Sequence, residues 1–176
     1  LYHFVWHTYC DWFIEFSKTL ILIDDKNSKE TKHVLMFVFK EILKISHPII
    51  PFITESLWNS LFDKSNYLMN ETIKPLDIQN SYKTSQNNFK NLILIISSIR
   101  NLRSELNISY KNKIDVNINN NDKKFCFFLQ TLENEINKIL KLNKLYLNNN
   151  SIKSQGSANI VIANSTIIIP LSDLID

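Results

Sequence analysis

The 176 residues are 44% hydrophobic and 21% charged, with a formal net charge of +3 and a single glycine. Such a chain has the means to bury one helical core and a small second module, and no apolar run approaches the roughly 18 residues that a membrane span needs. The lone Gly156 excludes the glycine-rich phosphate loops of dinucleotide-binding and P-loop proteins.

The opening Leu1-Tyr2-His3-Phe4 has neither an initiator Met nor a basic leader, and it reads as the interior of a longer chain. From Phe4 to about Ile23, Trp6, Cys10, Phe13, Ser17 and Leu20 recur at helical spacing, widened by Tyr9, Trp12 and Phe16. An aromatic face this broad is expected to be buried against other helices. Asp24 to Lys29 reads as a polar turn. A second helix, capped by Ser28 or Thr31, then carries Val34, Leu35, Val38, Ile42 and Ile45 on its apolar side and Lys40, Glu41 and Lys44 on its wetter one.

Pro48 ends that helix, because proline lacks the helical N–H and pushes His47 toward extended geometry. Pro51 suits the first turn of a third helix bearing Leu57, Trp58, Leu61 and Phe62, with Thr54 as a competing cap. Asp63 to Gln86 reads as a long connection containing Pro75 and a short extended piece at Glu71-Thr72-Ile73. Phe89, Leu92, Ile93, Ile96, Ile99, Leu102 and Leu106 mark a fourth helix, leaving Arg100, Arg103 and Asn107 on its other surface. Four such helices can close a bundle.

Beyond Tyr110 the period changes. Lys113 to Ile118 alternates as a half-buried strand, Asn119 to Asp122 turns, and Phe125 to Leu142 returns to helical spacing. Strands follow at Lys144–Leu147, Ala158–Ile162 and Thr166–Ile169, the last two joined by a tight turn at Ala163-Asn164-Ser165. The expected architecture is mainly α, a helical bundle over residues 1–110 followed by a small α/β module over 111–176.

Chemistry-bearing constellations are few. His3 and His7 lack the intervening Glu and further ligand of a zinc helix, so no metal site is expected. Cys10 and Cys126 lie in apolar stretches that favour buried thiols over a disulfide, in keeping with a reducing compartment. The only two arginines, Arg100 and Arg103, stand three apart in a chain that otherwise uses eighteen lysines. A planar guanidinium matches phosphate or carboxylate as an ammonium does not, so the pair is read either as holding RNA or as pairing with Asp11, Glu15 or Glu105. Lys40 and Lys44 are further candidates for RNA contact, and Trp12 for base stacking, while Asp11 is read as a structural carboxylate paired with a neighbouring helix.

The run Phe4-Val5-Trp6-His7-Thr8-Tyr9-Cys10-Asp11-Trp12, the corner His47-Pro48-Ile49-Ile50-Pro51-Phe52-Ile53-Thr54-Glu55-Ser56-Leu57-Trp58, the helix Arg100-Asn101-Leu102-Arg103-Ser104-Glu105 and the ending Ile169 to Asp176 together resemble the valyl-tRNA synthetase family of class I aminoacyl-tRNA synthetases. The corner alone is shared with isoleucyl- and leucyl-type relatives. Lys74-Pro75-Leu76-Asp77 departs from the family's Pro-Trp-Pro, and Asn164-Ser165 stands where the family uses Gly, an exchange Asn permits by tolerating positive φ.

The resemblance implies an anticodon-binding bundle and a connector within a cytoplasmic, monomeric ligase that uses ATP and magnesium to charge valine tRNA. The catalytic and editing domains would precede Leu1 and a coiled-coil arm would follow Asp176, so no cofactor is expected in this stretch. His47, Pro48, Pro51, Thr54 and Trp58 would be structural. The alternatives are a spacer without anticodon readout, or the same domain of an isoleucyl- or leucyl-type enzyme.

Overall fold

The computed structural model describes residues 1–22, 26–62, 66–74, 82–149, 156–162 and 164–171. They belong to two compact units, Leu1–Ile78 and Gln79–Asp176. Helices dominate the chain and a small mixed sheet occupies its last third, as the residue patterns indicate.

In the first unit the leading helix is wound in two ways. Phe4–Ile14 is a π-helix, its N–H groups reaching five residues back, and it continues into α1, Glu15–Ile21. The wider turn changes the angle between successive side chains, and only part of the expected aromatic face is buried. Tyr9, Phe16 and Ser17 are buried, whereas Trp6 and Cys10 are exposed. The expectation of two buried thiols therefore fails: Cys10 faces solvent and Cys126 is half-buried, both free. Tyr9 Oη donates to the Leu35 carbonyl at 3.0 Å and its ring stacks on Phe39, tying this helix to α2, Lys26–Ser46. Burial raises the Tyr9 phenol above its usual pKa, with a further push from Cys10.

α2 begins ahead of both expected caps. Ser28 is inside its first turns, buried, with Oγ donating back to the Ile21 carbonyl. Of the expected polar turn, Asp24 and Asp25 lie outside the described residues. α3, Pro51–Leu61, carries Pro51 at its first turn, with Ile50 at the cap position and no side-chain cap. A 3₁₀ turn, Leu68–Asn70, closes over α3. Leu43, Trp58 and Leu68 form the core there, flanked by Phe39 and Phe62. Two side-chain bonds fasten the return of the chain: Trp58 Nε1 donates to the Asn66 carbonyl at 3.0 Å, and Glu55 Oε1 accepts the Leu68 N–H at 3.1 Å. Glu71, Thr72 and Ile73 pair with no strand. Residues 63–65 and 75–81 of the expected connection, Pro75 among them, lie outside the described residues.

The second unit is built on α4, Lys83–Glu105, which buries Leu92, Ile95, Ile96 and Ile99 and packs on the α/β module that follows. Its C-terminus is closed by a Schellman-type turn. Asn107 takes φ +53°, and the Ile108 N–H reaches the Arg103 carbonyl at 2.8 Å. The sheet runs in the order β2-β1-β4-β3, from β1 (Ile114–Asn120), β2 (Leu142–Leu147), β3 (Ser157–Ile162) and β4 (Ser165–Pro170). β1 and β2 are parallel, with Val116 opposite Leu145, and the other two pairings are antiparallel. β1 is central and more deeply covered than the half-buried strand expected, with Val116, Asn117 and Ile118 all buried. Asn117 tolerates this because its amide exchanges hydrogen bonds with the backbone of Asn149.

The single helix expected over Phe125–Leu142 is two, α5 (Lys123–Thr131) and α6 (Glu133–Leu140), broken at Leu132. Thr131 Oγ1 bonds back to the Phe128 carbonyl at the break, a local competitor of the helical ladder. In the β3–β4 turn Asn164 takes φ +57°, the conformation anticipated for it, while Ala163 lies outside the described residues. Residues 172–176, which hold the end of the terminal motif, are likewise outside them.

Asp122 sets the start of α5, its carboxylate accepting from the Lys124 N–H at 2.8 Å and the Phe125 N–H at 3.4 Å. Asp122→Ala removes that cap and is expected to cost about 1 kcal/mol, read as a lower urea midpoint with an unchanged m-value.

Candidate nucleic-acid interface

The double-proline corner is held from inside. After α2, the Ile49 and Ile50 N–H groups both return to the Ser46 carbonyl, so Pro48 sits in a turn that keeps its neighbours bonded. The buried Thr54 hydroxyl lies 3.0 Å from the Ile50 carbonyl, 3.1 Å from that of Pro51 and 2.8 Å from His47 Nδ1. A hydroxyl has one proton to give. If it is spent on a carbonyl, His47 carries its proton on Nδ1 and donates to Thr54 Oγ1. Thr54 thus acts as a clamp between the end of α2 and the first turn of α3, where the sequence suggested a cap.

The candidate RNA-facing side chains are mostly engaged within the protein. Lys44 Nζ bridges Glu41 at 3.0 Å and Glu71 at 3.3 Å. Burial pulls its pKa down, yet the hydrogen bonds and charges of both carboxylates outweigh that and leave it raised. Lys40, one turn earlier, lies over Phe62 at 4.7 Å and Trp58 at 5.6 Å, so its ammonium caps the aromatic core. Trp12 is half-buried on the π-helix. Asp11 is exposed and lies 3.4 Å from His7 Nδ1 one turn away, so the neighbouring-helix pairing considered for it is not what is observed.

The two arginines, read as a matched pair, are not alike. Arg100 is half-buried, whereas Arg103 is 0% exposed. Arg103 Nη1 donates to the Leu140 carbonyl at 2.8 Å, and Nη2 donates to those of Ser109 and Asn112 at 2.9 and 2.6 Å. Tyr110 lies against the guanidinium at 4.8 Å. Burial lowers the Arg103 pKa and Tyr110 opposes that. Such a group cannot reach an external phosphate in this conformation. Arg103, a candidate for RNA contact, is thus committed inside the second unit in this conformation, and among the described residues no ion pair joins it to Glu105. Thus Lys40 and Lys44 come together on one face of α2 beside Trp58 and Glu71, while Arg100 and Arg103 stand on α4 in the other unit.

Residue patterns also missed groups that matter here. Glu55 holds the 3₁₀ turn and Glu71 holds Lys44, and nothing in their local spacing marks them, since these partners are 13 and 27 residues away. The exposed end of the first unit is strongly apolar. Tyr2 and Trp6 stack at 6.3 Å, and with Ile49, Ile50, Ile53 and Leu57 they line a groove of ≈ 520 Å³. Among the described residues no group of three His, Cys, Asp or Glu side chains could hold a metal ion, and no helix is long and apolar enough to cross a membrane. The arrangement offers shape, aromatic surface and scattered cations, which are the means of binding and positioning.

Comparison with known proteins agrees with that character. The family model described as the anticodon-binding domain of tRNA ligase matches residues 1–118. The valine-tRNA ligase of Pelagibacter ubique (strain HTCC1062) is 36% identical over 149 residues, covering 82% of this chain and 17% of its own length. The valine-tRNA ligase of Zymomonas mobilis subsp. mobilis is 32% identical over 180 residues, covering 100% of this chain and 20% of its own. That of Lactiplantibacillus plantarum is 28% identical over 177 residues with the same coverage. The chain spans about a fifth of the length of the curated relatives it matches.

Arg103→Met is expected to strand three carbonyls and cost about 3 kcal/mol or more, at 1–3 kcal/mol per unsatisfied group, seen as a fall in the urea midpoint. Arg103→Lys is expected to recover less than half of it, because one ammonium cannot span carbonyls placed for a planar fork. A Met variant as stable as the parent would contradict the clamp.

Proposed function

The chain belongs to the anticodon-binding domain family of tRNA ligases, and on that premise we propose that it binds and positions the anticodon stem-loop of valine tRNA as part of a valine-tRNA ligase. The observation that carries this reading is the family match over residues 1–118, joined to relatives named valine-tRNA ligase that align along the whole chain. In this proposal residues 1–110 serve RNA binding and residues 111–176 connect onward. That is a division of labour, not of packing, since α4 packs with the sheet module. The ATP, the magnesium and the charging of tRNA with valine belong in this reading to other parts of a longer cytoplasmic, monomeric enzyme.

Holding the anticodon end at a fixed place would align the acceptor end with a distant catalytic centre, so remote binding energy enters kcat as well as KM. The geometry suits a rigid holder. The corner is bonded through Thr54, and the core around Trp58 is closed by the Asn66 and Leu68 bonds. A second reading, a spacer without anticodon readout, draws support from the internal engagement of Lys40, Lys44 and Arg103. The isoleucyl- and leucyl-type alternative has the shared corner in its favour, and the relatives' names weigh against it.

Titrating the 176-residue chain with fluorescein-labelled anticodon stem-loops of valine, isoleucine and leucine tRNAs at low salt separates these readings. Salt-sensitive binding at micromolar strength with preference for the valine stem-loop is expected. Equal binding to all three would favour the spacer, preference for another stem-loop would reassign the enzyme, and no complex with any would sink the proposal.

A further inference from the structure

The second unit contains a cationic cleft that none of the features considered so far explains. Lys111 and Lys113, from the link between α4 and β1, meet Lys138 and Lys141, from the last turn of α6, around a space of ≈ 460 Å³ closed by Tyr110, Asn137 and Leu142. All four lysines are exposed, and among the described residues no carboxylate lines the cleft and none of the four is held in an ion pair. Lys18 and Lys44, by contrast, are each tied to glutamate.

The floor adds to the field. Arg103 lies behind Tyr110 and takes the Leu140 carbonyl, so the C-terminal carbonyl dipole of α6 that would repel an anion is already answered by a buried cation. Asn137 closes the wall beside the lysines. Four ammonium groups around one cleft suit a ligand that brings anionic oxygens in succession, and the phosphates of an RNA strand, the partner class of the proposed function, supply them at regular spacing. An acidic peptide is the competing occupant that the test separates.

We propose that the cleft between the α4–β1 link and the end of α6 binds the ribose-phosphate backbone of an RNA strand through Lys111, Lys113, Lys138 and Lys141. This goes beyond the anticodon reading, because the contact is to backbone, requires no particular base and lies in the unit that carries the sheet. Each side chain acts as a phosphate neutraliser and none as a base reader.

The test uses the 176-residue chain, a valine-tRNA anticodon stem-loop and an unrelated RNA hairpin of equal length, with binding followed by fluorescence anisotropy from low to moderate salt. Lys111→Gln/Lys113→Gln/Lys138→Gln/Lys141→Gln is expected to weaken both probes at least tenfold at low salt. It should also flatten the slope of log K against log salt by about 3 to 3.5, at roughly 0.7–0.9 for each of four lost phosphate contacts. The corresponding four-Arg variant should bind as the parent does. The two double variants, Lys111→Gln/Lys113→Gln and Lys138→Gln/Lys141→Gln, each with an unchanged circular dichroism melt, guard against misfolding of the quadruple variant. Loss of preference between the probes while the variant still loses affinity would overturn the anticodon reading and leave the cleft standing. An unchanged slope in the quadruple variant, or tighter capture of a poly-glutamate peptide than of either RNA, would overturn the cleft.

Discussion

A fully buried guanidinium that meets no carboxylate must be satisfied by dipoles, and the second unit is arranged around that requirement at Arg103. Its three carbonyl partners come from the end of α6 and from two positions in the link that leads to β1. For those carbonyls to converge, α4 has to end where the Asn107 turn ends it, the link has to fold back over Tyr110, and α6 has to stop at Leu140. The last condition is met by Lys141 in the left-handed region, a conformation that usually calls for Gly or Asn. Its N–H then returns to the carbonyls of Asn137 and Lys138, leaving the Leu140 carbonyl to the arginine. Nε is left without a partner, so even this arrangement does not saturate the group.

Periodicity made the second unit legible where helices and strands bury one continuous face. The α4 stripe of Leu92, Ile96 and Ile99 lies in the core as its spacing implies, and the Asn164 turn adopts the geometry its residue type allows. The pattern was misleading where the helical pitch itself changes. In Phe4–Ile14 the same aromatic residues are present, and Tyr9 is buried as expected, but with the π-winding Trp6 and Cys10 stand outward. No spacing rule built on 3.6 residues per turn can report that. The break at Leu132 is of another kind, since it interrupts a continuous apolar period and the spacing of the apolar residues does not mark it.

The candidate site was legible in kind and not in role. Arginine among eighteen lysines does mark geometry, and at Arg103 the geometry that needed a fork proved to be internal. A planar donor set suits converging carbonyls for the same reason that it suits phosphate, so residue type alone cannot separate the two uses. Partners distant in sequence decide it, here Leu140 at 37 residues' separation. The same holds at the corner. His47 and Thr54 flank two prolines in the sequence, but only the fold brings their side chains to 2.8 Å, and the direction of that bond goes with the His47 tautomer.

A further consequence concerns which positive charges remain available. A lysine whose ammonium bridges Glu41 and Glu71, or sits on Phe62 and Trp58, has exchanged much of its long-range field for local cohesion. The lysines around Tyr110, which make no ion pair among the described residues, retain theirs, and screening over roughly 8–10 Å at ordinary salt still lets four charges around one cleft act together. In the proposed reading this divides the labour between the two units. The first supplies an aromatic body in which Lys40 and Lys44 are committed to internal contacts, and the second supplies the open charge. Because phosphate contacts fix position without reading sequence, discrimination among tRNAs would then have to come from base contacts, and the exposed aromatic surface of the first unit, with Tyr2 and Trp6 already stacked, is the part of the chain chemically equipped to make them.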